Sequence, residues 1–158
     1  MDITFKTVEG RFNYRVCAVI IDNNRILAMH DQRSPYYYLP GGRVKLHETA
    51  ENAILRELKE ELKIEARIIR PLWLNQSFFV EDVNNEKYHE LCIYFLIDIS
   101  KTNFPLNNDN IEIFENDKKL VFNWLKLDEL ESQYLYPLFI KNEIFNLPET
   151  LKLIVEYN

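Results

Sequence analysis

Residues 48–62, ETAENAILRELKEEL, carry the pattern that most limits how this chain can fold. The run is rich in Ala, Leu, Glu and Lys and free of Gly and Pro, and its apolar residues recur at helical spacing. It predicts a helix from Glu48 to Leu62. The runs beside it favour strand. YRVCAVIID and RILAMHD are β-rich and flank an Asn23-Asn24 turn, hence a hairpin. A longer hairpin follows, with arms KIEARIIRPLWLNQSFFVED and KYHELCIYFLIDIS joined by VNNE. Residues 101–118 are polar and Asn-rich and read mostly as loop; KLVFNWLKL reads as another strand. DELESQYLYPLFIKNEIF opens on an Asp suited to capping, contains Pro137 and has an amphipathic helical pattern, and the tail ETLKLIVEYN fits either strand or helix, with strand preferred. The expected class is α+β, with sheet packed against helices. At 158 residues, with no internal repeat or linker, a single domain spanning 1–158 is expected.

The formal net charge is −6, which speaks against general affinity for nucleic acid or an anionic membrane. A small anionic ligand is compatible with that charge where a cation bridges it. The longest apolar runs, such as VCAVII, are strand-length, and MDITFKTVEGRFNYR has no signal-peptide core. Cys17 and Cys92 sit inside apolar runs and read as buried free thiols; His30, His47 and His89 are scattered, with no Cys/His metal spacing. Together these features lead us to expect a soluble, cytoplasmic protein.

The helix has an unusual charge arrangement. At ~100° per residue, Glu57, Glu60 and Glu61 share one sector with Ala50 and Ala53, beside an apolar stripe of Ile54, Leu55, Leu58 and Leu62. A solvated acidic face relieved by pairs such as Arg56–Glu60 accounts for it at about 0.2–0.5 kcal/mol per pair. The other reading is that three carboxylates converge on a hard divalent cation, which prefers oxygen donors. Two of the chain's three glycines, Gly41 and Gly42, stand just upstream, after YYYLP. They suggest a strand end and a turn, where backbone can approach a ligand closely.

The joint spacing runs from Gly42 through five residues to Glu48, then seven residues to Arg56-Glu57-Leu58-Lys59-Glu60-Glu61-Leu62-Lys63-Ile64. This resembles the Nudix box of the Nudix hydrolases, with one departure: Lys63 stands where the box has glycine. Glycine there serves as a left-handed helix cap, a conformation that costs a lysine roughly 1 kcal/mol; the alternative is that the helix ends without that cap, with Lys63 facing its negative dipole end. The resemblance implies a three-layer α/β/α sandwich with a mixed sheet. It also implies a metal-dependent pyrophosphohydrolase. The substrate would be a nucleoside diphosphate linked to another moiety, ADP-ribose-like, or a nucleoside triphosphate, and a nucleoside monophosphate would be released. Carried over by position, Glu57, Glu60 and Glu61 would hold Mg²⁺ or Mn²⁺, joined by a backbone carbonyl at Gly41 or Gly42. Arg56 would orient the carboxylates, and Glu48 would support the loop–helix geometry. Glu60 and Glu61 are also counted among the catalytic residues. Relatives are often dimers, so a homodimer is a further expectation.

Outside the box, Glu90, Glu112 and Glu115 are candidates for the general base, beside a box glutamate. Arg33 and Arg43 are candidates for phosphate contact, and Tyr38 and Phe79 for stacking on a base. Strand alternation would turn Tyr37 away from Tyr36 and Tyr38. His89 reads as structural. The alternative function is a nucleotide-binding or sensor module on the same fold, with weak catalysis or none.

Overall fold

The structure is a computed structural model and describes residues 1–157. In chain order the elements are β1 (Thr4–Thr7), β2 (Gly10–Val19), β3 (Ile21–Asp22), β4 (Arg25–Asp31), β5 (Gly41–Arg43), α1 (Ala50–Glu61), β6 (Arg67–Val80) and β7 (Lys87–Asp98). After these come β8 (Ile111–Glu115), β9 (Lys118–Lys126), a 3₁₀ turn (Leu127–Ser132), α2 (Ile140–Glu143) and β10 (Lys152–Tyr157). The larger sheet runs β1-β2-β7-β6-β10, with β5 also on β2; the smaller runs β3-β4-β9-β8. The larger sheet is mixed, since β2/β7 and β6/β10 are parallel and the other pairs antiparallel.

β2 shows how the layers form. Its residues alternate between two cores: Val16 and Ala18 pack with α1, whereas Cys17 and Val19 pack with the 3₁₀ turn and α2. The sheet is therefore covered on both faces, giving the α/β/α layering that the box implies. α1 contributes Ala53, Ile54, Leu58 and Leu62, all nearly inaccessible, to its core. Each of the three larger side chains stabilises by roughly 1.5–3 kcal/mol on burial. Thr49 caps the helix by accepting a bond from the Asn52 amide, so Glu48 stands just outside it. The far end stops at Leu62, with Lys63 left-handed at φ 60° and its Nζ donating to the Glu60 carbonyl at 2.8 Å. The cap geometry survives without glycine, and the ammonium meets the negative end of the helix.

Several segments differ from the sequence reading. The first hairpin is paired only at its tip, Ile21–Asp22 with Arg25–Ile26, around Asn23 and Asn24 at φ 48° and 61°. Its arms then diverge into different sheets. Residues 101–118 contain β8, joined to β9 by a tight turn at Asn116-Asp117, both at positive φ. Residues 128–145 are not one helix. The 3₁₀ turn ends at Ser132, Tyr37 and Tyr134–Tyr136 exchange backbone bonds, and only Ile140–Glu143 is helical. The second hairpin matches its predicted arms, with register shifts on either side of Pro71, where β6 lacks a donor. The tail is strand, parallel to β6. Among the described residues no helix is long and apolar enough to cross a membrane. Cys17 and Cys92 are buried and free.

Candidate active site

Gly41 and Gly42 do not form a turn. They open β5, neither has a positive φ, and Gly42 stands opposite Val16 in β2. Flanking bonds from Ala18 N to Pro40 O and from Val44 N to Tyr14 O make Val16–Gly42 a hydrogen-bonded pair. Gly42 therefore spends its amide and carbonyl on β2, while those of Gly41 point the other way. The Gly41 amide donates to Glu61 Oε1 at 3.1 Å. Of the two glycines, Gly41 is the one with a carbonyl on the edge away from β2. The glycines are needed for space. A Cβ on Gly42 would lie 2.6 Å from Glu57 Oε2 and nearer still to the rest of that carboxyl group. Glu57 occupies the volume a side chain would take.

Arg56 ties the helix to what precedes it. Its Nε and Nη2 donate to the two oxygens of Glu48 at 2.7 and 2.9 Å, and Nη2 also donates to the Arg43 carbonyl at 3.0 Å. Nη1 donates to Glu57 Oε1 at 2.8 Å and reaches Glu60 Oε2 at 3.4 Å. The Arg56 fork and the Lys45 amide hold the Glu48 carboxyl down at about 2. The other carboxylates are pushed the opposite way. Burial raises Glu57 despite its bond to Arg56. Burial, with repulsion from Glu57 and Glu115, raises Glu61 well above the carboxylate range. Glu60, about half exposed, lies at the rim.

β8 supplies the further acid. Ile111 and Ile113 pack in the α1 core, so alternation turns Glu115 toward the helix and Glu112 outward. Glu115 Oε2 is buried without a hydrogen-bond partner among the described residues, and its charge acts on both Glu57 and Glu61. Glu112 instead pairs with Lys119 at 2.9 Å in the open. Glu90 accepts from Asn13 at 3.2 Å and lies on the face with Cys92, away from α1. Of the three candidate bases outside the box, the fold brings only Glu115 to the box carboxylates.

The candidate substrate contacts divide in the same way. Tyr38 packs against the α1 core with its hydroxyl 3.4 Å from Asp31 Oδ2; burial and the charges of Asp31 and Glu61 raise its pKa. Tyr37 faces the other core and Tyr36 returns to Tyr38, as alternation requires. Arg33 is exposed on the same loop, and its amide donates to Asp31. Arg43 has its carbonyl on Arg56 and its side chain 3.9 Å from Asp2. Phe79 is not part of this group. It stacks on Tyr88, opposite Arg11, at the far end of the long hairpin. Five residues of β2 separate Arg11 from Val16, about 17 Å of strand. A surface hollow of about 570 Å³ lies at that far end, lined by aromatic residues and not by the box acids. The sequence reading missed Tyr134 and Tyr136, whose rings pack on Tyr36 at 5.8 and 5.2 Å beside Tyr38. Their cue was Pro137, which breaks the helical period drawn through them.

The donor set suits a hard divalent cation: oxygen only, anionic, partly desolvated and mutually repelling, with one buried carboxylate oxygen left unpartnered. Glu57 and Glu61 are turned to protein donors, the Arg56 guanidinium and the Gly41 amide, and among the described residues no three His, Cys, Asp or Glu side chains are grouped so as to hold a metal ion.

The NUDIX domain family profile matches residues 11–143. An ADP-ribose pyrophosphatase of Methanocaldococcus jannaschii is 29% identical over 119 residues, covering 71% of this chain and 68% of that protein. In fold, the chain is similar to a mutator MutT protein of Bacillus halodurans: TM-score 0.61, 13% identity, 92% of this chain and 89% of that one. It is also similar to an ADP-ribose pyrophosphatase of Streptococcus suis: TM-score 0.55, 17% identity, 91% and 98% covered. With the family match spanning most of its length and the box acids gathered on α1 against β5, the chain belongs to the NUDIX domain family and is a Nudix hydrolase.

Proposed function

We propose that the chain is a divalent-cation-dependent pyrophosphohydrolase. Its substrate is a nucleoside diphosphate joined to a second moiety, of the ADP-ribose kind, with nucleoside triphosphates as the other class. The observation that carries this reading is the meeting of Glu57, Glu61 and Glu115 between α1, β5 and β8. The name of the Methanocaldococcus jannaschii relative supports the ADP-ribose class.

In this reading Glu57, Glu60 and Glu61, with the Gly41 carbonyl, hold Mg²⁺ or Mn²⁺. When bound, the ion neutralises phosphate charge and stabilises the leaving oxygen. Arg56 fixes Glu57 and Glu60 by donating to them, and Glu48 fixes Arg56. Glu115 acts as general base through its unpartnered oxygen. Water oxygen bonds to one phosphorus, its proton passes to Glu115, and the bridging P–O bond breaks with the electron pair leaving on the departing phosphate. Tyr38, which feels the charge of Glu61, and Arg33, exposed on the same loop, contact the rest of the substrate.

The test is a substrate panel of ADP-ribose, dinucleotide polyphosphates and nucleoside triphosphates with Mg²⁺ or Mn²⁺, scored for nucleoside monophosphate. Glu60→Gln and Glu61→Gln are each expected to lower the rate at least tenfold. Unchanged turnover in both variants would remove the metal assignment. Tight nucleotide binding with no turnover on any member would favour a sensor instead.

A further inference from the structure

We propose that the outer edge of β10 is a homodimer interface, pairing antiparallel with β10 of a second copy to make one continuous sheet. Among the described residues β10 is hydrogen-bonded only to β6, so its other edge presents a row of unused amides and carbonyls. Such an edge is a template for another strand.

Natural edges are usually guarded by charges, prolines or bulges. β10 contains no proline and pairs with β6 without a register shift. Its two charged side chains are drawn inward. Lys152 reaches Glu143 at 2.7 Å; Glu156 accepts from Asn75 at 2.9 Å and from the Phe139 amide at 3.2 Å. On the other face Leu151, Leu153, Val155 and Tyr157 are 45, 62, 53 and 79% exposed, an apolar row that no other described residue covers.

The sequence of the strand specifies its own partner. In a strand paired in parallel with β6, alternate residues direct both backbone groups outward. Antiparallel self-pairing must then match odd residues with odd and even with even. The register centred on Ile154 does so over all of residues 151–157. It sets Lys152 opposite Glu156 of the second copy, Leu153 opposite Val155, and Leu151 opposite Tyr157. No like charges face each other, and the apolar row continues across the two-fold axis. It also extends a feature of the sheet itself. Phe5, Phe12, His89, Phe78 and Tyr157 lie in register across five strands, each ring against the next at 4.6–5.6 Å. Leu151 of the second copy would cap that row. A one-strand interface falls at the small end of the size range, so the dimer is weak and concentration-dependent.

Sedimentation equilibrium of the full chain tests the assembly. A reversible monomer–dimer equilibrium is expected, weakened at least tenfold by Val155→Lys, with hydrolase activity unchanged because residue 155 is remote from the box acids. Oxidative cross-linking tests the register. Ile154→Cys sets two thiols face to face at the axis, within disulfide reach, whereas Leu153→Cys displaces them along the strand. Ile154→Cys is therefore expected to cross-link and Leu153→Cys not. A wild-type chain that stays monomeric at its solubility limit overturns the proposal. So does a dimer indifferent to Val155→Lys, or cross-linking of Leu153→Cys in preference to Ile154→Cys.

Discussion

Replacing each of the two adjacent glycines by alanine separates fold from chemistry within β5. A Cβ on Gly41 would stand 2.9 Å from the Cα of Cys17 and closer to the Val16 carbonyl, so it collides with backbone of β2. Backbone in a central strand cannot step aside alone, and the clash is overpacking at about 1–3 kcal/mol. For a chain of this length that lowers Tm by roughly 2–12 °C. A Cβ on Gly42 meets the Glu57 carboxyl group instead. That group must retreat by roughly 1 Å to reach ordinary van der Waals distance. The retreat is opposed by Arg56, whose Nη1 holds Oε1 at 2.8 Å. A displacement of about 1 Å in a positioned catalytic group costs about 10²-fold in rate, or about 2.7 kcal/mol of transition-state stabilisation. Gly42→Ala should thus fold with a Tm within a few degrees of wild type while kcat/KM drops about a hundredfold. Gly41→Ala should lose more stability than Gly42→Ala. The assays are differential scanning calorimetry and steady-state nucleoside monophosphate release on the same preparations. If Gly42→Ala unfolds early with normal turnover per folded molecule, Glu57 is not a working ligand and the reasoning fails.

Three further outcomes follow from the site. Glu115→Gln should lower kcat by 10²–10⁴-fold, the usual span for a general base, whereas Glu112→Gln, whose carboxylate pairs with Lys119 in solvent, should leave kcat within about twofold; equal effects would remove Glu115 from the mechanism. Glu61 keeps its proton in the folded chain above the ordinary value of 4.5. The unfolded chain then binds fewer protons, so metal-free stability should fall as pH rises above about 4.5, and the Tm gain on adding Mn²⁺ should grow over the same rise. Glu61→Gln should flatten both trends in thermal melts, and a persisting pH slope would place the titration elsewhere. Lys63→Gly should relieve a left-handed lysine while losing its bond to the Glu60 carbonyl, for a net gain of about 0.5–1 kcal/mol and roughly 1–4 °C in Tm; a lower Tm would mean the ammonium contributes more than the backbone strain costs.

What could be read in advance follows from how far apart in the chain the interacting groups lie. Glu57, Glu60, Glu61, Arg56 and Glu48 sit on or next to one helix, where three- and four-residue spacing alone fixes who neighbours whom. Their mutual arrangement was therefore legible. The role of Gly41 and Gly42 was not, because it depends on β2 lying on one side of β5 and the Glu57 carboxylate on the other. Sequence shows that backbone approaches something closely there, without saying what. β8 was hidden by its composition: five alternating residues inside an Asn-rich stretch carry a weak period, and the strand exists because β9 pairs with it. The opposite error arose at 133–137. There the apolar spacing fitted a helix, yet Tyr37 offered backbone partners that an extended segment takes up. Phe79 failed for geometric reasons, since a fourteen-residue strand carries its far end well beyond the site its near end supports.

The same distinction explains why the acids are tuned as they are. A helix alone would leave Glu57 and Glu61 on a wet face, where repulsion is weak and a cation has little to gain. Packing β5 over that face removes water from Glu61, and β8 then adds Glu115 from the far side. The local pattern supplies the ligands, and the two strands make their charge costly enough for a cation to relieve. Arg56 is the element that keeps this from collapsing, since it compensates Glu48 fully and Glu57 only in part. Arg56→Lys keeps the charge but loses the fork, so Glu57 and Glu48 can no longer be held at once. Activity should fall further than stability, with kcat down at least tenfold and the midpoint for Mn²⁺ activation shifted. Retention of wild-type kcat and Mn²⁺ response would show that the charge alone suffices.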